Sequence, residues 1–330
     1  MNRRIFGADL LLLLTAAIWG FGFVAQRSGM QYVGPFAYNG VRFILGSLSL
    51  LPLVLWRAKS RARGFEKKPL LFSSFLAGSC LFIGVSLQQL GMMVTTAGNA
   101  GFITGLYVVF TPIFGIFLGR RTGKATWFGA FLTFTGLYFL STPGGLADVN
   151  PGDLIIALSA VFWAFHVLLI DRLVQRIDPV ALSSGQFAFA GFYALIAAFL
   201  IEPFLSKWLL GLDPALIASG LFTWESFPSL LAGLSSGRVP LSLVSSAMVP
   251  ILYGGLVSVG IGYTLQVVAQ RDAPPAHATI ILCLEGSFAA LGGVLLLSEP
   301  LSSRIVLGFG LMLAGMLISQ WELISGRSGK

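Results

Sequence analysis

Apolar residues run along this chain in stretches of about twenty, the length a helix needs to cross a bilayer. Ten windows can be placed, at roughly 9–26, 36–56, 70–91, 97–118, 126–141, 153–171, 180–201, 244–269, 276–297 and 305–323. Most connections between them are short and polar. One longer stretch, about 202–243, is too polar and too interrupted by proline to span. It is expected to lie outside, either with Phe222, Trp224 and Phe227 in the headgroup zone or as a lid over the outer mouth of a pathway.

Composition supports the pattern. Of 330 residues 56% are hydrophobic and 10% charged, with a mean hydropathy of +0.86, whereas a soluble domain carries about 25% charged residues. The 40 glycines fit helices packed closely in lipid. The expected fold class is therefore all-α integral membrane. Cys80 and Cys283 lie in apolar runs without zinc spacing or a disulfide framework, so neither metal nor cofactor is expected. The basic start and apolar run of MNRRIFGADLLLLLTAAIWG could be a signal peptide. No small-residue cleavage site precedes the next segment, so it reads as a retained first helix.

Charge sets the expected orientation. With the N-terminus inside, sixteen of the 21 Lys and Arg fall in cytoplasmic connections and four fall outside, Arg42 being within a span. Both termini are then cytoplasmic, in a bacterial inner membrane. The basic loops face anionic lipid, which accounts for the net charge of +8 without nucleic acid.

Internal offsets divide the chain. An offset of 144 pairs Asp9 with Asp153, Trp19 with Trp163, Pro35 with Pro179 and Phe43 with Phe187. It becomes 178 for Gly84 with Gly262, Gln88 with Gln266 and Phe110 with Phe288, then 179 for Gly129 with Gly308 and Gly136 with Gly315. Two five-helix halves follow, 1–145 and 146–330, the second carrying the insertion at about 202–243. Five is odd, so the second half crosses in the opposite sense. The expected architecture is ten transmembrane helices as two inverted five-helix repeats.

Three stretches carry a resemblance: LTAAIWGFGFVAQRSGMQYVGPFAYNGVRF, TTAGNAGFITGLYVVFTPIFGIFLGRRTG and APPAHATIILCLEGSFAALGGVLLLSEPLS. Together they resemble the EamA-type drug/metabolite transporters over nearly the whole chain. The resemblance implies ten helices, a central cavity between the halves and carriage of small metabolites, often outward. There are departures. The family's Glu-Pro in the ninth helix is Glu285-Gly286 here, and Tyr107 and Val108 stand where it has Ser-Pro. Its Gly-Glu at the end of the first repeat is replaced by Arg120 and Arg121. Local kinks are expected to differ accordingly.

Ionisable residues within spans are costly, and each is a candidate for the substrate or proton pathway. Glu285, answering to Tyr107 in the first half, sits near the expected midplane and cannot snorkel. Desolvation favours its neutral form, so it can load and release a proton or hold a substrate amine; the alternative is a protonated carboxyl hydrogen-bonded to a neighbouring helix. Arg42 either snorkels outward as an anchor or partners a substrate carboxylate or Glu285, and its equivalent is Gln186. Trp19 and Trp163 lie near the centre, as cavity wall or as core packing. His166 precedes Asp171 by five residues, and on a helix the two diverge by about 140° and cannot act together. A hydrogen-bonded helix histidine or a relay remains for His166. His277 and Asn99 stand at helix starts, suited to anions or to capping. Gln88 and Gln266 either join helices or line a cavity. GFITG at 101–105, GIFLG at 115–119 and AALGG at 289–293 give the fourth and ninth helices small faces, for close packing or for sliding.

The partners expected are a small-molecule substrate and membrane lipid; a homodimer is left open. No Walker motif is present for direct ATP drive. A secondary transporter, not an enzyme, is expected; proton exchange through Glu285 is the natural coupling, and facilitated diffusion or exchange would use the same fold. The alternative is an integral-membrane enzyme acting on a lipid-linked substrate, for which the loops offer little beyond basic residues and single Asp residues.

Overall fold

The computed structural model of the protein describes residues 3–30, 33–60, 67–93, 97–120, 122–141, 151–202, 248–297 and 303–324. Beyond Glu202, the expected outer segment with Phe222, Trp224 and Phe227 lies outside these residues.

Within them the chain is helical. Six helices are long and apolar enough to cross a membrane: α1 (Arg3–Gly29), α2 (Pro35–Ser60), α3 (Lys67–Gly91), α7 (Pro151–Leu173), α8 (Pro179–Leu200) and α9 (Met248–Ala269). The others are α4 (Ala97–Thr104), α5 (Tyr107–Phe117), α6 (Lys124–Ser141), α10 (Pro275–Leu282), α11 (Leu284–Leu297) and α12 (Ser303–Ile324). Large apolar side chains such as Leu55, Trp56, Phe72, Phe131, Leu154 and Val249 are exposed, as lipid-facing surfaces require.

Two sequence windows are not continuous helices. The fourth divides into α4 and α5, where Val108 donates to the Gly105 carbonyl at 3.0 Å. The ninth divides into α10 and α11, where Gly286 donates to the Cys283 carbonyl at 3.1 Å. Both breaks are made by tightened i→i+3 turns, not by proline; Pro112 lies buried within the intact α5. Glu285, in the middle of the ninth apolar window, is therefore not within a continuous helix. It lies in the first turn of α11, and Tyr107 is the first residue of α5. A helix N-terminus carries partial positive charge, although at these restarts the Val108, Val109, Phe110 and Gly286 N–H groups are already bonded.

The helices meet through small residues and rings. Gly129 abuts the Gly315 carbonyl and Gly136 abuts the Gly308 carbonyl, so α6 and α12 run backbone against backbone in opposite senses. Phe43 of α2 meets Phe187 of α8 at 6.1 Å, and Ser47 Oγ donates to the Ser184 carbonyl at 2.8 Å. Gly84 of α3 faces Trp163, and Gly262 of α9 faces Trp19. Half of α9 winds as a π-helix, Tyr253–Tyr263, a geometry that often accompanies functional sites.

Polar ties close the ends. Arg57 pairs with Asp178 at 2.8 Å, and Asp178 caps α8 through the Val180 and Ala181 N–H groups. Gly119, at φ 74°, turns the chain after α5 and delivers Arg120 to Asp171. Glu202, just beyond α8, accepts from the Ala37 N–H at 3.2 Å. Burial pushes its carboxyl up from 4.5 to about 8, while that N–H acts in the opposite direction.

Gly20 is the closest constraint on the segment bearing Glu285. A Cβ there would stand 2.5 Å from the Phe288 Cβ and 2.7 Å from the Glu285 carbonyl oxygen. Gly20→Ala should destabilise the protein by about 1–3 kcal/mol, read as a lowered midpoint of thermal unfolding in detergent. Gly310→Ala, where nothing lies within 4 Å, should leave the midpoint unchanged; equal behaviour of the two variants would refute the packing assignment.

Candidate functional site

A cavity lies among α1, α2, α3, α4, α5, α7, α9, α10 and α11. Seven of the ten sequence candidates line it: Glu285, Arg42, Trp19, Trp163, Tyr107, Gln88 and Gln266.

Glu285 is 5% exposed, and its Oε1 accepts a hydrogen bond from the Tyr107 hydroxyl at 3.2 Å. The helix breaks explain the meeting. Each ends one half-helix and starts another, so the first turns of α5 and α11 carry the two side chains to one place. Cys283 Sγ contacts the Gly105 carbonyl at 3.5 Å across the same two breaks. The cavity therefore presents a carboxyl group that is dry on most sides but held by one hydroxyl. Such a group can exchange a proton with cavity contents while its partner fixes its orientation.

Arg42 corrects the snorkelling expectation. It is 2% exposed and turns into the protein, with Nε donating to Asn39 Oδ1 at 2.9 Å. Its guanidinium carbon stands 5.4 Å from the Tyr38 ring centre and 5.0 Å from that of Phe43. Outward snorkelling fails because Tyr38, Asn39 and Phe43 hold the head on the inner face of α2. Arg42 and Glu285 line the same cavity without forming an ion pair.

An aromatic wall lies alongside. Tyr263 stands 4.4 Å from Trp19 and 6.0 Å from Trp163, stacked on the latter at 22°. Trp19 Nε1 donates to the Ser258 carbonyl at 3.3 Å, whereas Trp163 Nε1 has no partner. At one end of the cavity Gln88 Nε2 donates to Thr104 Oγ1 at 3.0 Å. Gln266 Nε2 donates to Gln270 Oε1 at 2.9 Å, and its own Oε1 has no partner.

The remaining candidates stand apart. His166 and Gln186 are fully buried behind the cavity and bond to each other, His166 Nε2 to Gln186 Oε1, at 2.9 Å. Asp171 pairs with Arg120 instead of His166. His277 does not cap its own helix. Its Nε2 meets Asp9 Oδ1 and its Nδ1 meets Ser319 Oγ, both at 2.9 Å, joining α10 to α1 and α12. The Asn99 side chain lies outside the described residues. The sequence reading missed Tyr263, Thr104 and Gln26, which also line the cavity. Tyr263 answers to Val85 under the 178 offset, so no repeat signal marked it.

Comparisons with known proteins match this architecture. Residues 6–142 and 224–320 match the family described as the EamA-like transporter family. An uncharacterized transporter of Archaeoglobus fulgidus is 28% identical over 317 residues, covering 96% of this chain and 86% of that protein. The uncharacterized inner membrane transporter YedA of Escherichia coli K12 is 27% identical over 206 residues, 59% of this chain and 62% of YedA. A crystal structure superposes on 98% of this chain and 99% of its own with a TM-score of 0.72 at 17% identity, a likeness of fold.

The Tyr107–Glu285 bond yields a test. Tyr107→Phe should cost about 1–3 kcal/mol, because it leaves a buried acceptor without its donor. The same change in a Glu285→Ala background should cost less, since the acceptor is already gone. Thermal unfolding of the four proteins measures the coupling; additive losses would show that the two side chains do not interact.

Proposed function

The chain belongs to the EamA-like transporter family, and on that premise we propose that it carries a small metabolite, an amino acid, amine or drug-like compound, across the cytoplasmic membrane through the central cavity. Glu285 is the proton-carrying group. The observation that carries this reading is the placing of a buried carboxyl and its Tyr107 partner on the cavity wall.

Proton coupling follows from simple chemistry. A carboxyl in a dry cavity is costly as an anion unless a cation or donor faces it. Taking up a proton removes that cost, and so does binding a donor group of the cargo. Where the two compete for Glu285, movement of one drives movement of the other. Outward carriage rests on the family resemblance. An inner-membrane location is supported by the long apolar helices and by the printed name of YedA, and cytoplasmic termini by the distribution of Lys and Arg.

The same reading includes ten spans in two inverted halves, 1–145 and 146–330. What supports it is that residues equivalent by offset also meet in space. Tyr107 touches Glu285, Phe43 touches Phe187, and Gly84–Trp163 is mirrored by Gly262–Trp19. Contacts between equivalent residues are what a two-fold axis through the cavity produces. Alternating access is then an exchange of packing between the halves. The alternative of a membrane enzyme on a lipid-linked substrate finds no support in relatives named as transporters.

Metabolite profiling of cells with and without the protein identifies the cargo, and proteoliposomes then measure its flux with and without a pH gradient. Wild-type flux should respond to the gradient. Glu285→Gln and Glu285→Ala should abolish flux or make it indifferent to the gradient. Wild-type behaviour in both variants would overturn the assignment.

A further inference from the structure

Arg42 is the cavity's unexplained group. A guanidinium has five N–H donors and stays charged at any relevant pH, and burying one without a counter-charge is expensive. Here Nε is engaged by Asn39, and the rings of Tyr38 and Phe43 flank the head. Among the described residues no acceptor meets the two terminal nitrogens and no carboxylate pairs with the side chain, yet Arg42 is 2% exposed and borders the cavity. The fold does not demand a cation at this place. At the equivalent position of the other half stands Gln186, neutral and bonded to His166.

We infer that Arg42 is the anion-binding residue of the cavity and that the cargo is a small organic molecule bearing a carboxylate or similar oxyanion on a flat apolar body. The terminal nitrogens offer the paired donors that a carboxylate accepts side by side. The body lies against the apolar wall formed by Trp19, Tyr263 and Trp163, in which Tyr263 stacks on Trp163 at 22° and tilts at 52° to Trp19. Glu285, not ion-paired to Arg42, remains free to hold its proton against Tyr107. The oxyanion end is thereby assigned to one wall and proton exchange to another. This inference rests on the transport reading of the cavity, but binding tests it separately from flux.

Three probes of matched size distinguish the charge: benzoate, benzylamine and benzyl alcohol. Purified full-length protein in detergent is titrated with each, and the thermal unfolding midpoint gives apparent affinity. Benzoate should raise the midpoint more than the other two. Arg42→Gln, which copies the equivalent residue, should weaken benzoate by roughly tenfold or more while leaving benzyl alcohol unchanged. Arg42→Lys keeps the charge but loses the planar fork, so it should fall between. If Arg42→Gln does not fold, the wild-type order of probes and the Arg42→Lys titration still decide. No stabilisation by benzoate, equal or greater stabilisation by benzylamine, or an unaltered benzoate response in Arg42→Gln would overturn the proposal. Arg42-dependent benzoate binding with no flux of benzoate or of the profiled cargo in proteoliposomes would support Arg42 and sink the transport reading. Flux of the profiled cargo with the opposite charge preference would do the reverse.

Discussion

A carboxyl group in the middle of a membrane protein must be paired, protonated or wetted, because lipid offers it nothing. The hydrogen bond between Tyr107 and Glu285 is the local answer here, and much of the surrounding structure follows from it. For the two side chains to meet, two helices have to stop and restart at matching places, after Thr104 and at Cys283. The restarts put both residues in first turns, where the helix dipole favours a negative or hydrogen-bonding group. Gly20 then lets α1 lie directly on the Glu285 backbone.

Around this bond, positions equivalent by offset carry unlike groups. Arg42 brings a charge and Gln186, its equivalent, does not. His166 fills a place that Gly22 leaves open under the same offset. In the proposed two-fold arrangement the scaffold is shared and the chemistry is not. On that proposal packing can exchange between halves while one carboxyl and one guanidinium do the recognition. The ties at the helix ends, Arg57 to Asp178, Arg120 to Asp171 and Asp9 to His277, hold the ends together without entering the cavity.

Much of the fold was legible because lipid imposes a simple rule: every backbone group must be bonded within its own helix. Six of the ten apolar windows correspond to the long helices, and two more to α6 and α12. The breaks in the fourth and ninth windows were legible only in part. The family resemblance pointed to altered kinks at Tyr107-Val108 and Glu285-Gly286, but the glycines beside them, Gly105 and Gly286, are common in packed membrane helices, and Pro112 lies inside an intact helix. Glu285 stood out as a lone carboxylate, and the 178 offset named Tyr107 as its equivalent. Equivalence alone does not imply contact; in the proposed two-fold arrangement only residues near the axis touch. Arg42 could turn either way, since a long stem reaches water or cavity equally well, and Tyr38 and Phe43 decide it. His277 looked like a cap because its partners Asp9 and Ser319 are distant in sequence.

The central claim is that Glu285 is a cavity carboxyl whose protonation belongs to the transport cycle. Modification with a hydrophobic carbodiimide, located by peptide mass spectrometry, addresses it most directly, since the reagent attacks protonated carboxyls in apolar surroundings. Glu285 should be labelled, labelling should slow when the profiled cargo is present, and flux in proteoliposomes should fall in step with the labelled fraction. Protein fully labelled at Glu285 that still transports at the unmodified rate would contradict the account.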